Sequence, residues 1–198
     1  VMPVFALEAR HYAGGDDASL VGLAMGIYGL VQAALQLPMG WAADRWGRKR
    51  VIVLGLVLFG IGSLLGMWAT TVHQLAWARA LQGGGAISAA VSALLADLTR
   101  DGVRTKAMAL VGSSIGLMFA LSLILAPLLV TWMGLPGLFA LTTVLTLGGM
   151  AVVVWGVPPE PLLHKDAARG DWRRVLTDKP LLRLNFGVFV LHAVQLAM

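Results

Sequence analysis

Residues 40–70 read GWAADRWGRKRVIVLGLVLFGIGSLLGMWAT. A short segment dense in charge, with Asp44, Arg45, Arg48, Lys49 and Arg50, opens directly onto Val51–Thr70, which carries no charge at all. A hydrocarbon core about 30 Å thick is crossed by roughly 20 apolar residues of helix. Val51–Thr70 therefore predicts one membrane crossing, entered from a strongly basic turn. Working outward, further windows of this kind run Ala18–Leu37, Leu75–Leu98, Ala107–Met133 and Gly137–Val157. Val1–Leu7 and Leu184–Met198 are apolar stretches cut by the chain ends. Numbered in order, these make a first span, five complete spans and the start of a seventh.

Composition agrees. The 198 residues are 58% hydrophobic and 13% charged, against about 45–50% and roughly 25% in an ordinary soluble domain. A soluble enzyme, a disordered linker and a collagen-like fibre are excluded, and the expected class is an all-α polytopic membrane protein. With no cysteine there is no disulfide, thiolate metal site or thiol nucleophile, and no residue pattern implies a cofactor. The chain starts inside an apolar run with neither Met nor a basic leader. That start predicts no signal peptide and a piece of a longer polypeptide, cut within its first and seventh helices. The expected organisation is a transmembrane bundle over 1–157, a polar linker over 158–183, and the start of the seventh helix over 184–198.

The net charge of +5 would suggest nucleic acid on a soluble face, but the cations are placed otherwise. The links after the second, fourth and sixth spans hold 13 of the 15 Lys and Arg residues. Lys and Arg accumulate on the cytoplasmic side, so these links are expected inside and the protein is expected in a bacterial-type inner membrane. Trp41, Trp46, Trp155 and Trp172 fall near one predicted boundary and Trp68, Trp77 and Trp132 near the other, as headgroup-seeking indoles do. Trp172, Val175 and Leu176, with Arg173 and Arg174, predict a short basic amphipathic helix lying on the inner leaflet. Gly22/Gly26, Gly62/Gly66, Gly112/Gly116 and Gly83–Gly85 predict close helix packing in lipid. The glycine triplet follows no strand, so it does not read as a dinucleotide site.

The segment Gly40–Lys49 resembles the signature loop of the major facilitator superfamily, G-x-x-x-D-R-x-G-R-[RK], at Gly40, Asp44, Arg45, Gly47, Arg48 and Lys49. Arg79, Gln82 and Gly83 resemble the R-x-x-Q-G motif on its fourth helix. Asp97–Arg100 followed by Arg104–Lys106 is similar to the proton-coupled drug-exporter branch. The resemblance implies the N-terminal six-helix bundle of a twelve-helix fold, the other bundle being supplied by a C-terminal half of the same polypeptide. It also implies alternating access around a midplane site between two bundles, with a small-molecule substrate, protons and lipid as partners. By the same resemblance Asp44, Arg48 and Asp97 form a gating charge cluster, and Arg79 faces a cavity and contributes to proton coupling. One departure stands out: where drug antiporters carry G-P-x-x-G-G on the fifth helix, this chain reads Ala126-Pro127-Leu128-Leu129-Val130-Thr131.

Other readings of single residues stay open. Arg79 has snorkelling to the headgroups as its alternative. His192, in the seventh span, is either hydrogen-bonded within the bundle or a protonation site. Gln32 and Gln36 either face a cavity or bond neighbouring helices. Gly112-Ser113-Ser114-Ile115-Gly116 fits G-x-S-x-G, which would make an intramembrane serine protease, but that serine needs an exposed turn. A retinal receptor needs a lysine deep in the seventh span, and none is visible there. The expected activity is therefore non-enzymatic: proton-coupled export of small amphiphilic molecules, with a nutrient symporter or facilitator on the same fold as the runner-up.

Overall fold

The computed structural model describes residues 4–5, 8–85, 87–158 and 177–197. The chain forms two compact units, Val1–Pro161 and Leu162–Met198. In the first, helical residues at Val4 and Phe5 and a short turn at Ala9–His11 precede α1 (Ala18–Trp46), α2 (Arg48–Met67), α3 (Val72–Gly84), α4 (Ser88–Leu98) and α5 (Asp101–Ala151). A π-helical turn, Val152–Gly156, closes this unit's last helix. The second unit holds α6 (Lys179–Ala197). Among the described residues there is no strand, only one isolated bridge between Ala13 and Thr71.

Local chemistry sets the helix ends. Asp17 Oδ1 accepts from Ser19 N at 2.9 Å, Ser19 Oγ at 2.6 Å and Leu20 N at 3.3 Å, which supplies acceptors for the open donors of α1. The Ser19 hydroxyl and the backbone N–H groups of Leu20 and Ser19 hold this carboxyl below its ordinary range. Thr71 and Gln74 form a reciprocal capping box at the start of α3. The seventh span was expected from Leu184, but α6 begins at Lys179. Asp178 Oδ1 accepts from Leu181 N, and Pro180 falls in the first turn, where its missing N–H costs nothing.

The fourth window is interrupted, and the fifth and sixth windows are joined in one element. Leu75–Leu98 was expected as one helix, yet α3 ends at Gly84 and α4 starts at Ser88. Glycine weakens a helix by about 1 kcal/mol per residue, and a Cβ at Gly85 would lie 2.6 Å from the carbonyl oxygen of Gly55. Gly85 lets the backbone pass α2 there, and Gly83 lets it pass α1 at Tyr28, at the expense of helical continuity. α5 is 51 residues long but contains Gly134 at φ 66°, ψ −177°, a region open essentially to glycine alone. The chain reverses at that point. Both ends of the element return to the α1–α2 turn: Arg104 Nε donates to Ala96 O, beside Asp97, while Lys49 Nζ donates to Val154 O and Val157 O. Pro136 then sits in the first turn of the returning arm, where proline is tolerated.

Burial follows from this arrangement. At the hairpin end Phe5, Val72, Leu75, Leu135 and Phe139 form one core cluster. At the α1–α2 end Ala43, Val51, Ile52, Ala90 and Leu94 form another. Four helical stretches, Ala18–Trp46, Arg48–Met67, Val72–Leu98 and Asp101–Gly156, are long and apolar enough to cross a membrane, and the last, 56 residues long, is folded back at Gly134. The six described tryptophans are all exposed, from Trp41 at 46% to Trp132 at 88%, as lipid-facing anchors require. Trp172 and the amphipathic turn around it lie outside the described residues.

The glycine pairs divide into two kinds. A Cβ at Gly62 would lie 2.7 Å from Gln82 N and 2.8 Å from Ala78 O, one at Gly66 would strike the Phe139 ring, and one at Gly83 would meet the carbonyl oxygen of Tyr28. At Gly22, Gly26, Gly112 and Gly116 nothing lies within 4 Å, so the expected packing at those four does not occur among the described residues. Gly83→Val in the intact polypeptide is expected to lower stability by about 1–3 kcal/mol through overpacking. Gly22→Val is expected to stay within about 0.5 kcal/mol. Thermal unfolding in detergent checks both, and equal losses would contradict this packing.

Candidate functional site

Two polar clusters stand out of the apolar bundle, one at the α1–α2 turn and one among α1, α2 and α3. The first lies at the α1–α2 turn. The sequence places Asp44 and Arg45 in a loop, but α1 continues to Trp46 and the turn is Gly47 alone, at φ 100°, ψ 138°. No side chain settles readily in that conformation, which accounts for glycine at 47. Gly40 makes no close approach to another helix. It lines a shallow cleft with Ala43, Asp44, Ala89, Ala90 and Ala93 instead.

α2 thus starts with Arg48, Lys49 and Arg50, three cations at the helix end whose dipole favours anions. The structure answers this locally. Arg48, 15% exposed, reaches Asp97 Oδ2 on α4 at 2.5 Å and Asp44 Oδ1 on α1 at 3.7 Å. One guanidinium so ties three helices at one end of the bundle. Lys49 Nζ donates to Val154 O at 3.0 Å and Val157 O at 2.9 Å, carbonyls at a helix C-terminus where a cation is favoured. Arg45 stacks on Trp41 instead, its Cζ 5.2 Å from the ring centroid. Arg104 pairs with Asp101 at 2.7 Å.

The second cluster lies within the bundle. Arg79 on α3 is 6% exposed and does not snorkel. Its Nη1 donates to Gln82 Oε1 at 3.1 Å, Gln82 Nε2 donates to Ser63 Oγ at 2.8 Å, and Ser63 Oγ donates to Phe59 O at 2.9 Å. The guanidinium carbon lies 4.6 Å from the Tyr28 ring centroid and 5.9 Å from that of Phe5. Cation–π contacts of this kind contribute about 2 kcal/mol when desolvated, against a penalty of several kcal/mol for burying the charge. The motif spacing now has a physical reason. Gln82 is one turn beyond Arg79 and shares its face. Gly83 lets the α1 backbone pass at Tyr28, and Gly62 lets α2 approach closely enough for Ser63 to meet Gln82.

Sequence reading singled out Arg79, Gln82 and Gly83 but missed Tyr28, Phe5 and Ser63. They come from three other spans, and the one available signal was a hydroxyl-bearing residue beside a small-residue pair at Gly62–Ser63. Gln36 Nε2 donates to Ser88 Oγ at 2.8 Å, joining α1 to the start of α4. Ser114 sits within α5 and donates to Leu110 O at 2.8 Å, so the strand-to-helix turn of a serine nucleophile is not present at this serine. His192 is carried by α6, but its side chain lies outside what is described. Among the described residues no group of His, Asp and Glu is arranged to hold a metal.

Comparison with known proteins places the chain in a family. The chain is 41% identical to the inner membrane transport protein YajR of Escherichia coli K12, matching all of this chain and 44% of that protein. It is 34% identical to an uncharacterised transporter of Buchnera aphidicola subsp. Schizaphis graminum, over 97% of this chain and 50% of the relative. It is 30% identical to the class B tetracycline resistance protein of Escherichia coli, over 59% of this chain and 30% of that protein. The chain therefore spans about half the length, or less, of these relatives. The family model for the Major Facilitator Superfamily matches residues 1–198 throughout, and the chain belongs to that family of membrane transporters.

Proposed function

We propose that the intact polypeptide is a proton-coupled secondary transporter that exports small amphiphilic molecules by alternating access. The observation that carries the reading is the Arg48 guanidinium, shared between Asp44 on α1 and Asp97 on α4 at a single-residue turn. Such pairs are exchangeable. They close one end of the bundle while made and release it when their partners change, biasing a two-state equilibrium by about 1–3 kcal/mol. The surrounding signature residues Gly40, Arg45, Gly47 and Lys49 shape and anchor that turn. Arg79, with Gln82 and Gly83, is the buried charge that responds to proton movement, and His192 is the candidate protonation site.

The positive-inside distribution supports a cytoplasmic side for the α1–α2 turn, the α4–α5 link and the linker after the sixth span. Substrates of the exporter kind are supported by a relative whose name states tetracycline resistance. In the relatives, the length beyond this match leaves room for a second bundle, which a central site between bundles requires. A symporter or facilitator on the same fold is favoured by one observation. Ala126 and Val130, at positions where drug antiporters carry glycine, are buried in the core, so the fifth helix is filled at this point. The direction of transport under an imposed pH gradient in proteoliposomes separates the two.

Two substitutions test the roles. Asp44→Asn is expected to lower transport about tenfold, one coupling free energy of this size, while expression and folding are retained. Unchanged transport in a well-expressed Asp44→Asn protein would remove the gating role. Arg79→Gln keeps bulk and removes charge, and is expected to let substrate equilibrate without being concentrated against its gradient. Continued uphill transport driven by the pH gradient would remove Arg79 from coupling.

A further inference from the structure

The Arg79 guanidinium has more donors than the bundle uses. Nη1 is taken by the neutral Gln82 amide, while Nε is buried with no hydrogen-bond partner. Among the described residues no carboxylate lies within ion-pair distance of Arg79. The neighbouring stretches outside that set add none by sequence, since residues 1–3, 6–7 and 86 are Val, Met, Pro, Ala, Leu and Ala. A cation at this depth stays costly until an anion meets it. The two rings differ in access. Phe5 is 1% exposed and covers one side, whereas Tyr28 on α1 is half-buried and leaves its side less covered.

We propose that Arg79 is the anion subsite for the transported molecule. A carboxylate of the substrate docks on the guanidinium, and the aromatic or apolar body attached to it lies against Tyr28. The assignment rests on the transporter reading above and narrows its substrate class to organic monoanions. A planar carboxylate matches the fork of a guanidinium. Arg79 is the one cation of this cluster among the described residues, which fits a single negative charge rather than a phosphate dianion. The ring faces recognise an unsaturated body, and the Gln82–Ser63–Phe59 chain holds the guanidinium in place before the ligand arrives.

The test uses the intact polypeptide in detergent, with no pH gradient, titrated with benzoate, 1-naphthoate and indole-3-acetate and with their primary amides. The thermal unfolding midpoint reports binding, because a ligand that binds only the folded protein raises it. The acids are expected to raise the midpoint and the amides to leave it unchanged. Arg79→Gln is expected to weaken the acids about 10- to 100-fold, the loss of a hydrogen bond to a charged group, and Arg79→Lys to retain part of the effect. Tyr28→Leu is a second variant, independent of the charge, expected to weaken 1-naphthoate more than benzoate.

Equal stabilisation by acids and amides overturns the proposal, and so does full stabilisation of Arg79→Gln by the acids. So does a wild-type protein that no acid stabilises; a destabilised Arg79→Gln would then assign the counter-anion to a carboxylate elsewhere in the polypeptide. Binding without a gradient is separate from export. Acids that bind through Arg79 but are not moved by a pH gradient would overturn the proton-coupled reading and leave the anion site standing.

Discussion

A positive charge held within an apolar helical bundle governs the interior of this protein. Arg79 is almost fully enclosed, and each group around it is neutral: an amide, a hydroxyl behind that amide, and two aromatic faces. Bringing those groups to one guanidinium requires three helices to approach more closely than ordinary side chains permit. Gly62 and Gly83 provide that approach, the first toward α3 and the second toward the α1 backbone at Tyr28. Polar satisfaction and small-residue packing are thus one constraint. The bundle is drawn together around the charge, and Phe5 of the hairpin-end core covers one side of it.

The α1–α2 end solves a second electrostatic problem by different means. Three cations begin α2, where the helix dipole opposes them. Arg48 takes carboxylates from two other helices and Lys49 takes the carbonyls that end the sixth span. One turn of a single glycine therefore touches α1, α2, α4 and the end of the element that begins with α5. The two carboxylates are more exposed than the Gln82 and Ser63 groups that serve Arg79. Asp44 is 71% exposed and Asp97 35% at the side chain, so water reaches both carboxylates. A buried cluster and a more exposed boundary cluster thus stand on one set of helices.

Much of this was legible in the sequence because the membrane imposes a length and a polarity on each span. Val51–Thr70 reads as a crossing from its apolar run alone, and α2 covers most of it. Boundaries were less legible. Ala18–Leu37 was expected to stop where Pro38 follows, yet α1 runs on to Trp46 and includes Asp44. The glycine triplet read as a packing device also breaks the fourth span, because backbone hydrogen bonding there gives way to contact with Gly55. The pairing of Arg48 with Asp97 was implied by resemblance, whereas the Tyr28 and Phe5 faces on Arg79 were not. Their positions depend on how helices far apart in sequence cross, which no local pattern encodes.

The most direct measurement is a cryo-EM map of the intact polypeptide in lipid nanodiscs, read at the Arg79 guanidinium. The expected result is Gln82 as its hydrogen-bond partner, the Tyr28 and Phe5 rings on its faces, and no protein carboxylate within about 4 Å, the reach of an ion pair. An Asp or Glu side chain from the rest of the polypeptide bridging to Arg79 would contradict a charge balanced by neutral groups and open to an anion.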